Sequence, residues 1–402
     1  MNKDLTIIKN NNFKTNTLSI VFKSDLKNIE EKNILFKYLL LVSNKYKRIS
    51  IKNKKQEDLS IIKSDLHFKK YGDMLLISFN YSYLNYKYTK RSDTLVLEMI
   101  KDTILNPLIV DGSFDQQLIE VIKTRLKEQI KKEKENKLEY SIKDLFLSID
   151  KEKPESINLF GDIKRLDEIK GKDIYNVYQD FIKKLDFHIF IVGDLDNSFQ
   201  KSYEEVFSHL KSVSHLNYNL NLINESKAKN IIKKDNYEQN VFLALYRYSN
   251  LTLYERKYVL PLYSLILGGS SGSLLFKKVR EVNSLCYVIG SFFEITYNYL
   301  LIYTTTVKKN VKLVNSLIKE VKEEMTNISL KDLKRAQAII IDNLEMIPSE
   351  PEKLINNELL YLLGLSDRYQ DKKKEFLKVS IKDIQDLNKK IILNTTYERG
   401  KI

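Results

Sequence analysis

The sequence predicts an α+β fold that is built twice along the chain. The first observation is length, because 402 residues exceed one ordinary core and suggest two domains of about 200 residues each. The second is composition: 43% hydrophobic residues are enough for buried cores, and 30% charged residues are typical of a globular surface. The third is order, because strands and helices follow one another in the same sequence in both halves. Each half is therefore expected to form an antiparallel-rich sheet with helices on one face.

The first half shows both strand-like and helical periodicity. Strands are predicted at 17–23, 77–84 and 187–194, and helices at 29–47, 92–105 and 114–148. The clearest strand is 77–84, where Ile77, Phe79 and Tyr81 share one face and serines or asparagine share the other. The long segment 114–148 carries a sloping apolar stripe, which predicts one long charged helix.

A polar segment separates the halves. Residues 211–236 are rich in Asn and Lys and show no period, so they predict a linker between a first domain, 1–210, and a second, 237–402. The second half then repeats the order. Its predicted elements are a strand at 240–249, helices at 253–268 and 271–282, a strand pair at 286–307, and helices at 308–327, 330–346, 350–365 and 380–394. The duplication rests on this order, since the halves show no detectable identity.

The formal charge of +14 raises the question of an acidic partner. A basic protein can bind nucleic acid, anionic lipid or an acidic peptide. Here the lysines are scattered, arginine is scarce, and Asn and Ile are abundant, as in a chain encoded by an AT-rich genome. No motif that reads a DNA groove is present. The charge is therefore interpreted as compositional, and no nucleic-acid partner is expected.

Location and redox state follow from simple absences in the sequence. The opening stretch is polar and has no apolar core of a secretory signal. No apolar run approaches the ~20 residues that span a bilayer. These observations favour a cytoplasmic protein without a transmembrane segment. Cys286 is the one cysteine, so an intrachain disulfide and a CxxC metal site are excluded.

Familiar catalytic patterns are also missing. The four histidines are His67, His188, His209 and His215. No two are four residues apart, as HExxH or HxxEH requires. His188 lies in an apolar strand, which favours a hydrogen-bonded core histidine. The chain has no GxSxG, Walker A or GxGxxG motif.

The stretch LGGSSGSLLFKKVREVNSLCY, residues 267–287, is the most specific pattern in the chain. It resembles the motif in the C-terminal half of the M16 peptidase family (insulinase, pitrilysin and mitochondrial processing peptidase), roughly LGG-x-x-x-S-x-LF-x-x-(I/V/L)-RE-x-x-x-LAY. The matching residues are Leu267, Gly268, Gly269, Ser273, Leu275, Phe276, Val279, Arg280, Glu281, Leu285 and Tyr287. Residues 105–145 and 161–196 are similar to the bacterial YfmF-like branch of this family.

The resemblance implies two homologous domains of LuxS/MPP-like α+β fold that close like a clamshell around a peptide. It also implies zinc-dependent cleavage, with HxxEH on a helix of the first half and a later glutamate as third ligand. This sequence departs from that pattern, because the helix at about 31–48 has no histidine. Glu128 falls near the third-ligand position, but one carboxylate on a lysine-rich helix cannot activate a zinc-bound water. No metal or other cofactor is expected on this chain.

The family also implies roles for an arginine and a tyrosine of the C-terminal motif. In active members they face the zinc site and bind the substrate backbone. Guanidinium and phenol groups are strong donors for a carbonyl oxygen that gains negative charge. Arg280 and Tyr287 hold these positions here. The alternative is structural: Arg280 as a cation near a helix C-terminus, and Tyr287 as one of 25 tyrosines.

These observations predict the zinc-less subunit of a heterodimeric M16-type metallopeptidase. A homologous HxxEH chain would supply Zn²⁺, and this chain would supply Arg280 and Tyr287 to a peptide or precursor, such as a leader or bacteriocin-type peptide. Further candidates for substrate binding are Gly268, Gly269, Ser270 and Gln239. Gln239 belongs to a predicted edge strand, 237–246, that could pair with a peptide. The alternative function is a non-catalytic pseudopeptidase that serves as a scaffold or binds a peptide.

Overall fold

The computed structural model describes residues 4–195, 198–207 and 229–401. The chain divides into two compact units, and each is discontinuous in sequence. The first comprises Met1–Lys132, Ile157–Asn217 and Glu350–Leu359, and the second comprises Glu133–Ser156, Tyr218–Ser349 and Leu360–Ile402. Each unit therefore includes a short segment from the opposite half of the sequence.

A five-stranded sheet forms the centre of the first unit. The strands in this part of the chain are β1 (Leu5–Lys9), β2 (Thr15–Asp25), β3 (Ile61–Tyr71), β4 (Met74–Leu84), a short hairpin of β5 (Ile109–Val110) and β6 (Ser113–Phe114), and β7 (Phe187–Gly193). The sheet order is β1-β7-β2-β4-β3. Only β1 and β7 pair in parallel, and the other neighbours are antiparallel.

Helices cover one face of this sheet. The helices up to residue 207 are α1 (Ile29–Leu41), α2 (Ile49–Asp58), α3 (Tyr86–Thr89), α4 (Thr94–Leu105), α5 (Gln116–Glu135), α6 (Lys137–Ile149), α7 (Ile163–Glu168), α8 (Gly171–Lys183) and α9 (Phe199–Phe207). Alternate residues of the strands, such as Ile20, Phe22 and Phe79, are buried against Phe36 of α1. The apolar faces of the helices, with a period of 3.6 residues, and of the strands, with a period of 2, thus pack together in one core.

Two predicted helices of the first half differ in extent. The helix predicted over 29–47 ends at Leu41. The helix predicted over 114–148 is interrupted at Asn136, whose side chain accepts a hydrogen bond from the Glu139 N–H and caps α6. An asparagine is a favoured N-cap, so it begins a new helix where the apolar stripe alone suggests a continuous one.

The second unit has the same sheet topology. Its strands are β8 (Lys229–Lys234), β9 (Asn240–Tyr248), β10 (Cys286–Glu294), β11 (Tyr299–Thr306) and β12 (Ile391–Gly400). Their order is β10-β11-β9-β12-β8, with only β8 and β12 parallel. The prediction of two similar, antiparallel-rich α+β sheets is confirmed.

The described C-terminal part of the chain contains six α-helices. They are α10 (Leu260–Leu267), α11 (Val311–Glu324), α12 (Leu330–Glu345), α13 (Pro351–Leu362), α14 (Tyr369–Lys378) and α15 (Ile381–Lys390). A π-helical segment, Glu255–Val259, leads into α10, and another, Phe276–Val282, precedes β10. The predicted helix at 380–394 therefore ends at Lys390, because the chain continues as β12.

The prediction of 237–246 as an edge strand is wrong. Strand β9 lies between β11 and β12, and the free edges of this sheet are β10 and β8. Of the predicted linker, 211–228 lies outside the described residues, whereas 229–234 forms β8. This strand is lysine-rich, as exposed edge strands often are, and its composition therefore resembles that of a linker.

The second face of each sheet also receives a helix. In the second unit, Leu145 and Phe146 of α6 pack with Val241 and Leu243 of β9 in a buried apolar cluster. In the first unit, α13 lies over a face that carries polar side chains of β2, β3 and β4. No helix in the described part of the chain is long and apolar enough to cross a membrane.

Candidate functional site

Arg280 and Tyr287 are brought together by a sharp connection between a helix and a strand. The π-helical segment Phe276–Val282 ends beyond Arg280, whose carbonyl accepts a 3.1 Å bond from the Ser284 N–H. Ser284 has a positive φ of 50°, which turns the chain into β10. The seven-residue separation therefore places both side chains on the same side of this turn.

The contact between the two side chains is a cation–π pair. The Arg280 guanidinium lies 5.2 Å from the centroid of the Tyr287 ring and 4.7 Å from that of Phe276. No carboxylate in the described ranges forms an ion pair with Arg280. Tyr287 is 72% exposed. The rings fix the plane of the guanidinium and leave its N–H groups available to an external acceptor.

The helical segment that carries Arg280 is anchored from its other side. Leu275 and Val279 are fully buried in the second core. Lys278 forms ion pairs with Glu320 at 2.9 Å and Glu324 at 2.5 Å, both on α11. Apolar burial and charge thus hold one face of the segment, so the opposite face presents Arg280 to solvent. A π-helical turn of this kind often marks a functional site.

The two glycines and Ser270 end α10 and contact the protein itself. A Cβ on Gly268 would lie 2.9 Å from the Ser291 backbone nitrogen of β10, and Gly268 O accepts a 3.2 Å bond from that nitrogen. Gly269 N–H and Ser270 Oγ bond to carbonyls of α10. These contacts assign Gly268 to close packing of α10 on β10, a structural role. Ser270 and Gly269 remain candidates for substrate contact.

Gln239 is exposed and directly precedes β9. The strand register pairs Cys286 with Thr306 and Thr306 with Asn240. Gln239 therefore lies at the same end of the sheet as Tyr287, two strands away, or roughly 10 Å at the usual strand spacing. It is not part of the Arg280–Tyr287 contact.

Cys286 starts β10 between the two functional candidates in sequence and is half-buried. Burial raises the pKa of its thiol, while the nearby Arg280 charge opposes that rise. A thiol with a raised pKa is a poor nucleophile at neutral pH. Cys286 is therefore interpreted as a small, half-buried structural residue at the start of a strand, as its position in the sequence predicts.

By the family resemblance α1 would carry the zinc motif, but it has no histidine, and its buried carboxylate, Glu31, forms an ion pair with Arg165. Its buried face presents Ile34, Leu35, Tyr38 and Leu39. The pKa of Lys37 is lowered by burial and by the Arg125 charge on α5, so two cations approach each other here. Cations repel a divalent ion, and none of these groups is a zinc ligand.

The other candidate ligands are also dispersed. Glu128 on α5 is exposed. His188 is buried in β7, with its Nε2 2.8 Å from Thr6 Oγ1, as expected for a core histidine. His67 is exposed on β3, with its Nε2 3.6 Å from Asp65 Oδ1. His209 and His215 lie outside the described residues. Over the described ranges, no three His, Cys, Asp or Glu side chains are grouped as a metal site.

Two features of the site are absent from the sequence-based candidates. Phe276 forms the second ring against Arg280, and a four-residue spacing on a helix is a signal for such a contact. The free edge of β10 begins beside Tyr287. Sheet order depends on long-range pairing, so no local signal distinguishes this edge strand from β9.

Comparisons with known proteins agree with the fold and the missing zinc motif. The family model described as "Peptidase M16 inactive domain" matches residues 168–340. A Bacillus subtilis protein described as "Probable inactive metalloprotease YmfF" is 26% identical over 339 residues, which are 82% of this chain and 79% of that protein. An "Uncharacterized zinc protease" of Rickettsia bellii is 23% identical over 60% of this chain and 59% of its own length.

Two solved structures share the fold over nearly the whole chain. A conserved protein from Enterococcus faecalis has a TM-score of 0.87 at 19% identity and covers 99% of this chain and 96% of its own. A peptidase M16 inactive domain from Pseudomonas fluorescens has a TM-score of 0.79 at 17% identity, with coverage of 100% and 97%. Together with the motif at 267–287, the family model and the curated relatives show that the chain is similar to the M16 peptidase family.

Proposed function

We propose that this chain is the zinc-less subunit of a two-chain M16-type metallopeptidase that processes peptides or peptide precursors. A homologous HxxEH chain would hold the Zn²⁺, which the residues of α1 and α5 here do not fit. This chain would supply Arg280 and Tyr287 to the substrate. Leader or bacteriocin-type precursors are the substrate class that we propose first.

One observation carries this proposal: the Arg280 guanidinium rests on two rings and has no carboxylate partner among the described residues. A surface arginine with a purely structural role commonly forms an ion pair. Here the charge is positioned by aromatic faces, and its N–H groups stay open. That arrangement suits an acceptor from another molecule, such as a peptide carbonyl.

The chemistry of the pair is the recognition of a carbonyl oxygen. The Tyr287 hydroxyl donates one hydrogen bond, and the Arg280 fork donates one or two. Such donors stabilise a carbonyl oxygen most when it carries the negative charge of a tetrahedral intermediate. The free edge of β10 lies beside them, and its backbone groups can pair with an extended peptide. The peptide backbone and the reacting carbonyl would then be held by adjacent parts of one strand.

The test is peptide cleavage by this chain combined with its HxxEH partner. Arg280→Ala and Tyr287→Phe are each expected to lower kcat/KM by roughly 10- to 1000-fold, as for loss of an oxyanion donor. Arg280→Lys should recover little activity, because lysine lacks the planar fork. Arg368→Ala is the matched control, since Arg368 also lies over a tyrosine ring, that of Tyr361 at 4.3 Å.

A second candidate function is a scaffold or peptide-binding pseudopeptidase. It is favoured by the position of Arg280 in the last turn of its helical segment, where a cation is stabilised without any substrate. Size-exclusion chromatography of each variant complex separates the two functions. If the variant complexes stay intact and cleave the peptide as fast as the parent, Arg280 and Tyr287 have no role in cleavage. The scaffold function would then be the one that fits.

A further inference from the structure

We propose that the polar cavity between the first sheet and α13 binds a short zwitterionic peptide of dipeptide size. The cavity measures about 230 Å³ and is bounded by β2, β3, β4 and α13. Every residue that lines it belongs to the first unit. The site is therefore separate from the Arg280–Tyr287 pair, and the inference stands whether or not the proposed function holds.

The contrast with the second unit shows that this space is not a general feature of the fold. The two sheets have the same strand order, and each receives a helix on its second face. In the second unit Leu145 and Leu243 are fully buried at that interface, and its polar groups pair with one another, as Asp144 does with Tyr397 and Arg399. In the first unit the equivalent interface contains hydroxyls, an amide and charges around open space. A volume of this size accommodates several water molecules or a small ligand.

The floor of the cavity is a preorganised row of hydrogen bonds across three strands. Ser19, Asn80 and Asp65 are directly opposite one another in the register. Ser19 Oγ donates to Asn80 Oδ1 at 2.7 Å, and Asn80 Nδ2 donates to Asp65 Oδ1 at 2.8 Å. Ser19 is only 3% exposed. The row fixes the position of the Asp65 carboxylate, which is the polar end of the site.

The charges around the cavity suit a ligand that carries one charge of each sign. At one end, two carboxylates share one ammonium: Lys63 Nζ lies 3.2 Å from Asp65 and 3.1 Å from Glu352. At the other end, Lys69 lies over the Tyr71 ring at 4.8 Å. No carboxylate of the described chain forms an ion pair with Lys69. The first end therefore favours a ligand ammonium, and the second favours a ligand carboxylate.

The distance between these ends sets the size of the ligand. Asp65 and Lys69 are four residues apart on β3 and point to the same face, so their Cα atoms are about 13 Å apart. Two extended residues span roughly 7 Å, and the flexible stem of Lys69 covers the remainder. Between the ends, the sheet presents His67, Ser78 and Val21 to the cavity. Val21 together with Ile355 and Leu359 of α13 forms an apolar patch for the side chain of the ligand.

Isothermal titration calorimetry of the full chain tests this site, with leucyl-alanine as the probe. Three capped forms serve as comparison: N-acetyl-leucyl-alanine, leucyl-alanine amide and the doubly blocked peptide. The free dipeptide should bind, and each single cap should weaken binding by about tenfold, as for loss of one charge-assisted contact. A capped form that binds as well as the free dipeptide overturns the assignment of a zwitterion.

Variants locate the binding in this cavity. Lys69→Gln and Asp65→Asn should each weaken leucyl-alanine binding by about tenfold. Asp73→Asn, at the exposed tip of the same hairpin, is the matched control and should bind normally. Lys69 is exposed, so its variant is expected to fold even if Asp65→Asn does not. Folded Lys69→Gln with unchanged affinity, or no binding of the free dipeptide up to roughly 10 mM, overturns the proposal.

Discussion

A charged side chain in this protein behaves according to what surrounds it, and Arg280 and Lys52 are opposite cases. Arg280 lies against the rings of Phe276 and Tyr287, and in the proposed function its donors bind another molecule. Lys52 is 1% exposed, and its ammonium donates a 2.8 Å bond to Leu39 O near the end of α1. Burial lowers the pKa of Lys52 to about 7, although Asp102 partly opposes this. Burial of the Lys52 ammonium therefore costs free energy in folding.

Lys52 should make stability rise with pH. In the unfolded chain the Lys52 side chain has its ordinary pKa of 10.5. Between pH 7 and 10.5 the unfolded state therefore binds the proton and the folded state does not. Stability contributed by this group therefore increases with pH across that window, by at most about 1.4 kcal/mol per pH unit. Below pH 7 Lys52 is protonated in both the folded and the unfolded state, so it no longer makes the free energy of unfolding depend on pH.

Melting temperatures at pH 7 and pH 9 measure this effect. Lys52→Met removes the titrating group, so the rise in melting temperature between the two pH values should be smaller than in the parent. Lys54→Met, an exposed position on the same helix, should leave the rise unchanged. Equal rises in the parent and Lys52→Met would show that Lys52 titrates normally.

At the scale of elements, the site depends on how closely α10 approaches β10. Gly268 lies where the end of α10 meets β10. β10 then carries Tyr287, and the π-helical segment before it carries Arg280. The glycine therefore sets the position of a strand whose free edge is part of the proposed peptide site. Its role in the motif is packing that supports binding.

Gly268→Ala should destabilise the protein through overpacking. The new Cβ would lie 2.8 Å from Ser291 Oγ and 2.9 Å from the Ser291 backbone nitrogen. The backbone of β10 is held in the sheet, so it cannot move away without a cost in free energy. A cost of roughly 1–3 kcal/mol is expected, seen as a lower melting temperature. Gly272→Ala is the control, because its Cβ would meet the flexible side chain of Arg335. Similar melting temperatures for both variants would contradict this account.

At the scale of the whole molecule, each unit is completed by a segment from the other half of the sequence. The second unit includes Glu133–Ser156, and the first includes Glu350–Leu359. Phe146 of α6 packs 5.0 Å from the ring of Tyr299 on β11, in the cluster that covers the second sheet. Neither half of the sequence therefore contains a complete core. Folding of the two units is expected to be coupled.

Phe146→Ala should weaken the second sheet, although residue 146 belongs to the first half of the chain. Loss of a buried phenylalanine costs about 3–5 kcal/mol. Hydrogen–deuterium exchange should increase in β9 and β11. Leu147→Ala, at a neighbouring position that is 49% exposed, serves as the control and should leave exchange in these strands unchanged. Faster exchange confined to the first unit would be incompatible with the assignment of α6.

The predictions that succeeded rest on local signals. The alternation of apolar and polar residues predicted β4, and a continuous apolar run predicted the buried strand β7. The strand pair predicted at 286–307 is the hairpin of β10 and β11. The motif at 267–287 nominated Arg280 and Tyr287, which the structure places in contact, and their role in substrate binding stays a prediction. The missed strands are β1, β3, β8, β12 and the two-residue strands β5 and β6. Of these, β1, β3 and β8 lie at sheet edges, where polar or lysine-rich composition weakens the alternation.

The sequence by itself determined the repeated α+β order, the absence of a zinc motif in the helix at α1, and the two residues of the candidate site. These follow from periodicity and residue type, which act over a few turns of chain. Only the tertiary structure decided that β10 is a free edge, that α6 and α13 complete opposite units, and that a polar cavity lies beneath α13. Those features depend on contacts between residues hundreds of positions apart, and such pairings leave no period in one sequence.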